Sequence, residues 1–268
     1  MLNSDDGTRA IHDYWNSHTL GLQYVRDRGI EIGSRAFFDH IRPWMNPFKF
    51  PWIMERIARE SERLQGRHLL EIGCGMGYDS LEFLRRGVRV TATDLTPNAV
   101  DMTRRHFEVE GVEAADVRVE NVLRLGFDDD TFDAVWANGV IHHTGNMPLA
   151  LREIHRVLKP GGRGILSHFY RKPSWMYALK QLPGVNTEFE DEDPPANEFL
   201  TEGEIEALFD GFEILEVARE HHRLLPVSRT GLKGFLYSYG LRPVYNVIPE
   251  SLAKRIAYKY SVTALAVK

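Results

Sequence analysis

The chain has 268 residues, a formal net charge of −5 and a single cysteine, Cys74. This length suits one large α/β domain or a domain with a lid, and one cysteine excludes an intramolecular disulfide or a cysteine-built metal cluster, so no metal site is expected. The acidic balance argues against a general nucleic-acid binder, no apolar run reaches the roughly 18 residues of a membrane span, and MLNSDDGTRAIHDYW lacks the order of a signal peptide, so a bacterial-type cytoplasmic protein is expected.

In chain order, residues 1–67 read as mainly helical, with aromatic residues at Tyr14, Trp15, Trp44 and Trp52. HLLEIG (68–73) is a short apolar strand ending at glycine. Leu81 and Leu84 follow at helical spacing, with Gly87 as C-cap. VRVTATD (88–94) alternates as a strand, and Thr96-Pro97 supplies an N-cap and an N1 proline for a helix running to Gly111. ADVRVE (115–120) and FDAVWAN (132–138) are the third and fourth strands. Met147, Leu151, Ile154 and Leu158 mark a helical face that stops at the turn Lys159-Pro160-Gly161-Gly162, before a fifth strand, GRGILSHF (162–169). Residues 170–200 are proline-rich and acidic through Glu188, Glu190, Asp191, Glu192 and Asp193. Thr201 and Glu204 form a capping-box pattern ahead of Ile205, Leu208 and Phe209. FEILEVARE (212–220) and SVTALAVK (261–268) are the last strands. Strands alternating with helices predict a parallel sheet with right-handed crossovers.

The stretch LLEIGCGMGYD (69–79) carries the first chemistry. A glycine-rich turn between a strand and its helix lets backbone N–H groups approach a nucleotide. The spacing Gly73-x-Gly75-x-Gly77 departs from the dinucleotide pattern G-x-G-x-x-G. Glu71 would repel a pyrophosphate and suits a cationic head, an ammonium or a sulfonium. Asp94 ends the second strand, 17 residues after Gly77, where a carboxylate accepts from ribose hydroxyls. Asn121 follows the third strand, within reach of an adenine edge.

LLEIGCGMGYD, TATDLTP, LGFDDDTFDAVWANGVIHHT and EIHRVLKPGG together resemble the class I S-adenosylmethionine-dependent methyltransferases, and within them the small-molecule group with the LPF…SFD…VLHHT…RVLKPGG pattern. The resemblance is dense over about residues 66–169 and loose over 200–268. It implies an α/β fold, a Rossmann-like three-layer sandwich around a seven-stranded sheet of order 3-2-1-4-5-7-6 with the last strand antiparallel. It also implies S-adenosyl-L-methionine as cofactor. Carried over, Glu71, Gly73 and Gly75 line the methionine part, Asp94 holds the ribose, and Leu95 packs on the adenine; Cys74, a small filler, and Gly77 complete the cofactor-binding loop. Asn121 and Val122 meet the adenine edge, and Asn138 sits beside the methionine. Asn121 stands where the family has Asp, and Gly126 where it often has Pro. The expected organisation is a helical N-terminal cap (1–67) and a cofactor-binding domain (68–268), with lid insertions at about 170–200 and 221–260.

The acceptor is less legible, because the donor methyl is activated by the cofactor and the protein need only orient a nucleophile and exclude water. His142 and His143, after strand four, are the catalytic candidates, as contacts to the acceptor or as its base. Tyr14, Trp15, His18, His168 and Tyr170 are candidate substrate contacts. The nucleic-acid amino-methylation block is missing after strand four, where Asn138-Gly139-Val140 stands, and no cysteine lies there for cytosine-C5 chemistry. Expected function is therefore methyl transfer to O, N, S or C of a small metabolite, with no nucleic-acid partner and with a homodimer left open. Residues 221–259 hold seven Lys/Arg (Arg223, Arg229, Lys233, Arg242, Lys254, Arg255, Lys259) against Glu250. That excess fits a solvated face, a lid for an anionic substrate, or contact with acidic lipid during methylation of a lipid or quinone precursor. A non-catalytic cofactor-binding regulatory subunit is the reading from another class, and a dehydrogenase is opposed by the glycine spacing and Glu71.

Overall fold

A computed structural model describes residues 4–17, 29–45, 51–180, 195–196, 198–220, 239–240, 242–257 and 259–268. His18, the acidic run 188–193, and Arg223, Arg229 and Lys233 of the basic segment lie outside the described residues.

Three helices come first: α1 (Ser4–Ser17), α2 (Arg35–Met45) and α3 (Pro51–Leu64). The alternating core then runs β1 (His68–Ile72), α4 (Tyr78–Leu84), β2 (Arg89–Asp94), α5 (Pro97–Glu110), β3 (Asp116–Val119), β4 (Phe132–Asn138), α6 (Met147–Val157) and β5 (Leu158–Arg171). It continues through α7 (Trp175–Lys180), β6 (Phe199–Leu200), α8 (Glu202–Leu208) and β7 (Phe212–Glu220). The last elements are α9 (Arg242–Asn246), α10 (Glu250–Ile256) and β8 (Lys259–Ala266). The sheet order is β3-β2-β1-β4-β5-β8-β7. β8 runs antiparallel to both neighbours, and the short β6 pairs with the end of β5. Apart from that two-residue addition, this is the expected order, with β7 and β8 in the places of the sixth and seventh strands.

Alternation along the strands distributes the core to two faces. Leu70, Ile72, Val135 and Ala137 pack with Met147, Leu151 and Ile154 of α6 and Ile205 of α8. Leu69, Val90, Ala134 and Trp136 pack with Ile53 and Ile57 of α3 and Phe83 of α4. Phe37, Phe38 and Ile41 of α2 close over Met76 and Tyr78 at the glycine loop.

The helix ends follow their sequence signals. The Thr201–Glu204 capping box makes both of its bonds. Gly87 and Gly111 both close Schellman motifs: Val88 N–H reaches Phe83 O at 3.1 Å and Gly87 N–H reaches Leu84 O at 3.0 Å, and Val112 and Gly111 repeat the pattern on Phe107 and Glu108. Thr96 is the N-cap of α5, but its hydroxyl does not cap; it donates to Asp94 Oδ1 at 2.9 Å, because a carboxylate two residues away is the stronger acceptor. β5 begins at Leu158, not at Gly162. Leu158 is already extended and pairs with Phe132, and the Lys159–Gly162 turn is an excursion inside the strand that shifts the register before Arg163 meets Ala134.

Candidate active site

The carboxyl edge of β1, β2 and β4 opens into a cleft of about 920 Å³, open mouth included. This is the edge at which open α/β sheets bind ligands. Its wall holds Gly73, Gly75, Asp94, Leu95, Asn121, Val122 and Asn138 of the expected cofactor residues, and Trp15 and His143 of the expected acceptor residues.

Gly73 must be glycine on two counts. Its φ is +73°, and a Cβ there would lie 2.2 Å from Val140 Cγ2. Gly75 has φ +56° with open space on the Cβ side, so its backbone stands bare to the cleft. Its N–H donates to Asp94 Oδ2 at 3.0 Å, while Asp94 Oδ1 accepts from the Thr96 N–H at 3.0 Å. The glycine turn and the end of β2 are thus clamped to one carboxylate. Burial pushes the Asp94 carboxyl up, against these hydrogen bonds, which favour its charged form. Asn121 Oδ1 accepts from the Leu123 N–H at 2.9 Å. The acceptor read there for an adenine amino group is therefore partly committed to its own turn, leaving one lone pair and the amide NH₂.

Three expected cofactor residues stand behind the wall instead of on it. Gly77 faces α5: a Cβ there would meet Phe107 and Thr103 at 2.9 Å, so this glycine lets the helices approach rather than the ligand. Cys74 is buried against Thr103, whose hydroxyl lies 3.4 Å from its Sγ, and burial raises its thiol well above the usual range. Glu71 is buried beneath the loop and accepts from the Ser80 hydroxyl; burial first, then the charge of Asp79, pushes its carboxyl well up.

The histidine pair divides. His143 is on the cleft wall, with its ring 5.1 Å from that of Trp15. His142 is buried behind it, 3.9 Å away ring to ring, and packs edge-on against Tyr170 at 4.7 Å. The carbonyl of Ala196 accepts from His143 Nδ1 at 2.8 Å. A carbonyl cannot donate, so Nδ1 carries the proton and Nε2 is the basic nitrogen of the neutral ring. Tyr170 stacks on Phe199 away from the cleft wall. His168 is buried at φ +72° in the bulge of β5, with Nδ1 3.2 Å from where a Cβ on Gly139 would stand, so it props the cleft edge from behind. Tyr14 contacts Trp15 and does not line the cleft.

The sequence reading does not reach Thr8, Ile11 and Asp79. Thr8 and Ile11 of α1 line the cleft together with the expected Trp15, and the spacing of three and four is a legible helical face. Asp79 accepts from Trp136 Nε1 and Asn138 Nδ2, both at 2.9 Å. Its signal is an acid in the first helical turn after a glycine loop, opposite two donors spaced by two on the adjacent strand.

One edge of a doubly wound sheet thus carries a glycine turn clamped to the carboxylate ending β2, and Asp79 behind the Asn138 amide. Residues 70–166 match the profile of the family described as the methyltransferase domain, so that stretch of the chain is similar to a methyltransferase domain. The ubiquinone biosynthesis O-methyltransferase of Xanthomonas oryzae pv. oryzae is 34% identical over 131 residues, 48% of this chain and 52% of the relative. The chain spans about half the length of the curated relatives it matches. A SAM-dependent methyltransferase from Aquifex aeolicus superposes with a TM-score of 0.52 at 17% identity, over 80% of this chain and 89% of the other. The [4+2]-cyclase SpnF does so at 0.55 and 20% identity, over 80% of each. At such identities the likeness is one of fold.

Proposed function

We propose that the protein transfers a methyl group from S-adenosylmethionine to a hydroxyl oxygen of a small-molecule acceptor. The observation that carries this is the arrangement of Gly73, Gly75, Asp94 and Asn138 along one cleft edge, with His143 and Trp15 at the same opening. The residues present fit the cofactor. Gly75 leaves its backbone exposed to the cleft, and Asn138 Oδ1 is a buried acceptor without a hydrogen-bond partner. Asp94 would take the ribose hydroxyls, Leu95 and Val122 the adenine faces, and Asn138 the amino-acid end. The bound cofactor supplies an electrophilic methyl on a sulfonium. The chain's own work is orientation, exclusion of water and removal of the acceptor proton, for which His143 Nε2 is the base. Oxygen is favoured as the nucleophile by the names of the curated relatives, which are O-methyltransferases. In this reading α1 roofs the cleft as part of an N-terminal cap ending near residue 67, with residues 68–268 as the catalytic domain.

A second reading, methylation of a lipid-like or quinone precursor at a membrane surface, draws on exposed Val244, Val247 and Leu252 beside Arg242 and exposed Arg255. Among the described residues no helix is long and apolar enough to cross a membrane, so such contact would be peripheral. The test of the main reading is direct. S-adenosylhomocysteine should raise the melting temperature while NADH does not, and labelled donor should methylate members of a hydroxyl-bearing panel. A protein stabilised by S-adenosylhomocysteine but inert across O, N, S and C acceptors would favour the non-catalytic cofactor-binding role.

A further inference from the structure

Strand periodicity sends Trp136 and Asn138 of β4 to the same face of the sheet, where α4 crosses. Trp136 is fully buried and Asp79 nearly so, and both donors converge on a single atom, Asp79 Oδ2, at 2.9 Å each. A carboxylate accepts and an indole N–H donates, so Trp136 leaves the carboxylate no choice of role. The same logic settles the Asn138 amide. Its NH₂ faces Asp79, and its carbonyl must face the other way. That oxygen, Oδ1, is buried and has no hydrogen-bond partner, and the residue that carries it lines the cleft. A buried carbonyl oxygen without a donor is rare in a folded protein and calls for an explanation.

We propose that Asp79 is a positioning residue: it fixes the Asn138 amide so that Oδ1 receives the ammonium of the cofactor's amino-acid end. The assignment rests on the reading of the cleft given above and deepens it at one end. Without Asp79 the amide is free to turn, and half of its orientations present NH₂ to an ammonium, which repels it. A purely architectural Asp79, needed only to satisfy the Trp136 indole, would make no distinction between ligands that have an amino-acid end and ligands that lack one.

That distinction is the experiment. S-adenosylhomocysteine carries the ammonium; 5′-methylthioadenosine keeps the adenosine and the sulfur and lacks it. Both are titrated by calorimetry into the full chain and into Asp79→Ala, Asp79→Asn, Asn138→Ala and Trp136→Phe. Asp79→Ala and Asn138→Ala should weaken S-adenosylhomocysteine by about ten- to a hundredfold, the worth of one hydrogen bond to a charged group, and change methylthioadenosine by less than about threefold on the same scale. Asp79→Asn keeps an oxygen that can accept from both donors, so its loss should be smaller and in the same direction. Trp136→Phe should leave the ratio of the two affinities unchanged. If Asp79→Ala does not fold, Asp79→Asn and Asn138→Ala still decide the matter. Equal losses for both ligands, or none for either, overturn the assignment of Asp79. A wild-type protein that binds neither compound overturns the cofactor reading itself, and the assignment with it.

Discussion

His106 offers a direct test of how the glycine loop is held. It is fully buried in α5, stacked on Phe38 at 4.1 Å and 8°, with Tyr78 edge-on at 4.6 Å. Its Nδ1 donates to the Met76 carbonyl at 2.7 Å, so α5 grips the loop that borders the cleft. The other ring nitrogen, Nε2, is buried without a hydrogen-bond partner. Protonation would place a charged N–H where nothing accepts it, and burial accordingly lowers the ring from 6.5 to about 4. The folded pKa lies below the unfolded one, so the unfolded chain binds the extra proton between those values. The stabilisation is therefore complete above about pH 6.5 and is lost as pH falls towards 4. At ~1.4 kcal/mol per pH unit this loss is on the order of 3 kcal/mol, a large part of an ordinary domain's stability. The assay is urea unfolding of the wild type and of His106→Asn at half-unit steps from pH 7.5 to 4.5. The variant keeps a donor near Met76 but does not titrate. The wild-type curve should fall more steeply than the variant's below about pH 6.5, and the two should converge at the acid end. Parallel curves would show that the ring is not held neutral in the folded state.

Two further outcomes bear on the cleft. Asp94→Asn should weaken S-adenosylhomocysteine by about ten- to a hundredfold in calorimetry, and Asp94→Ala should in addition lower the ligand-free melting temperature, because the N–H groups of Gly75 and Thr96 lose their acceptor; unchanged affinity in both removes Asp94 from the site. His143→Gln should slow single-turnover methyl transfer by about 10²–10⁴-fold with cofactor affinity nearly intact, whereas His142→Gln should cost stability more than rate, since that ring is buried behind the wall; a loss below tenfold for His143 would leave orientation alone driving the reaction.

What could be read in advance follows the backbone. Gly73 and Gly75 announce themselves because a positive φ and a bare approach tolerate almost no other residue. Asp94 is legible because a strand end followed by Thr-Pro has one structural meaning. Gly77 reads as part of the same motif, yet its partner is Phe107 of α5, thirty residues on, and no local pattern shows that. His142 and His143 are chemically identical and adjacent; a one-turn 3₁₀ segment sends one to the cleft wall and the other to the interior. Asp79 is hard to read in the sequence for the complementary reason. Its role exists only through two side chains on β4, and an acid early in a helix already has an ordinary explanation in the helix dipole.

The two ends of the cleft are built from different material, and this decides what each can specify. The donor end is made from β1, β2 and β4, in the middle of the sheet, where register ties Glu71 to Trp136 and Ile72 to Ala137. A change there propagates through the hydrogen-bond ladder and the two cores, so this end varies little without loss of fold. The opening is made instead by α1, which reaches it through Thr8, Ile11 and Trp15, and by Ala196, whose carbonyl sets the tautomer of His143. Neither belongs to the sheet. Trp15 meets His143 through a ring contact, and Asn98 Nδ2 donates to the Asn16 carbonyl at 2.9 Å near the end of α1. On the proposed function, substitutions in α1 should thus reshape the acceptor entrance at little cost to the donor end. On the same proposal, the acceptor's chemistry should accordingly be sought in the cleft-lining residues of α1 and around Ala196 beside His143, and not in the motifs that the chain shares with the family.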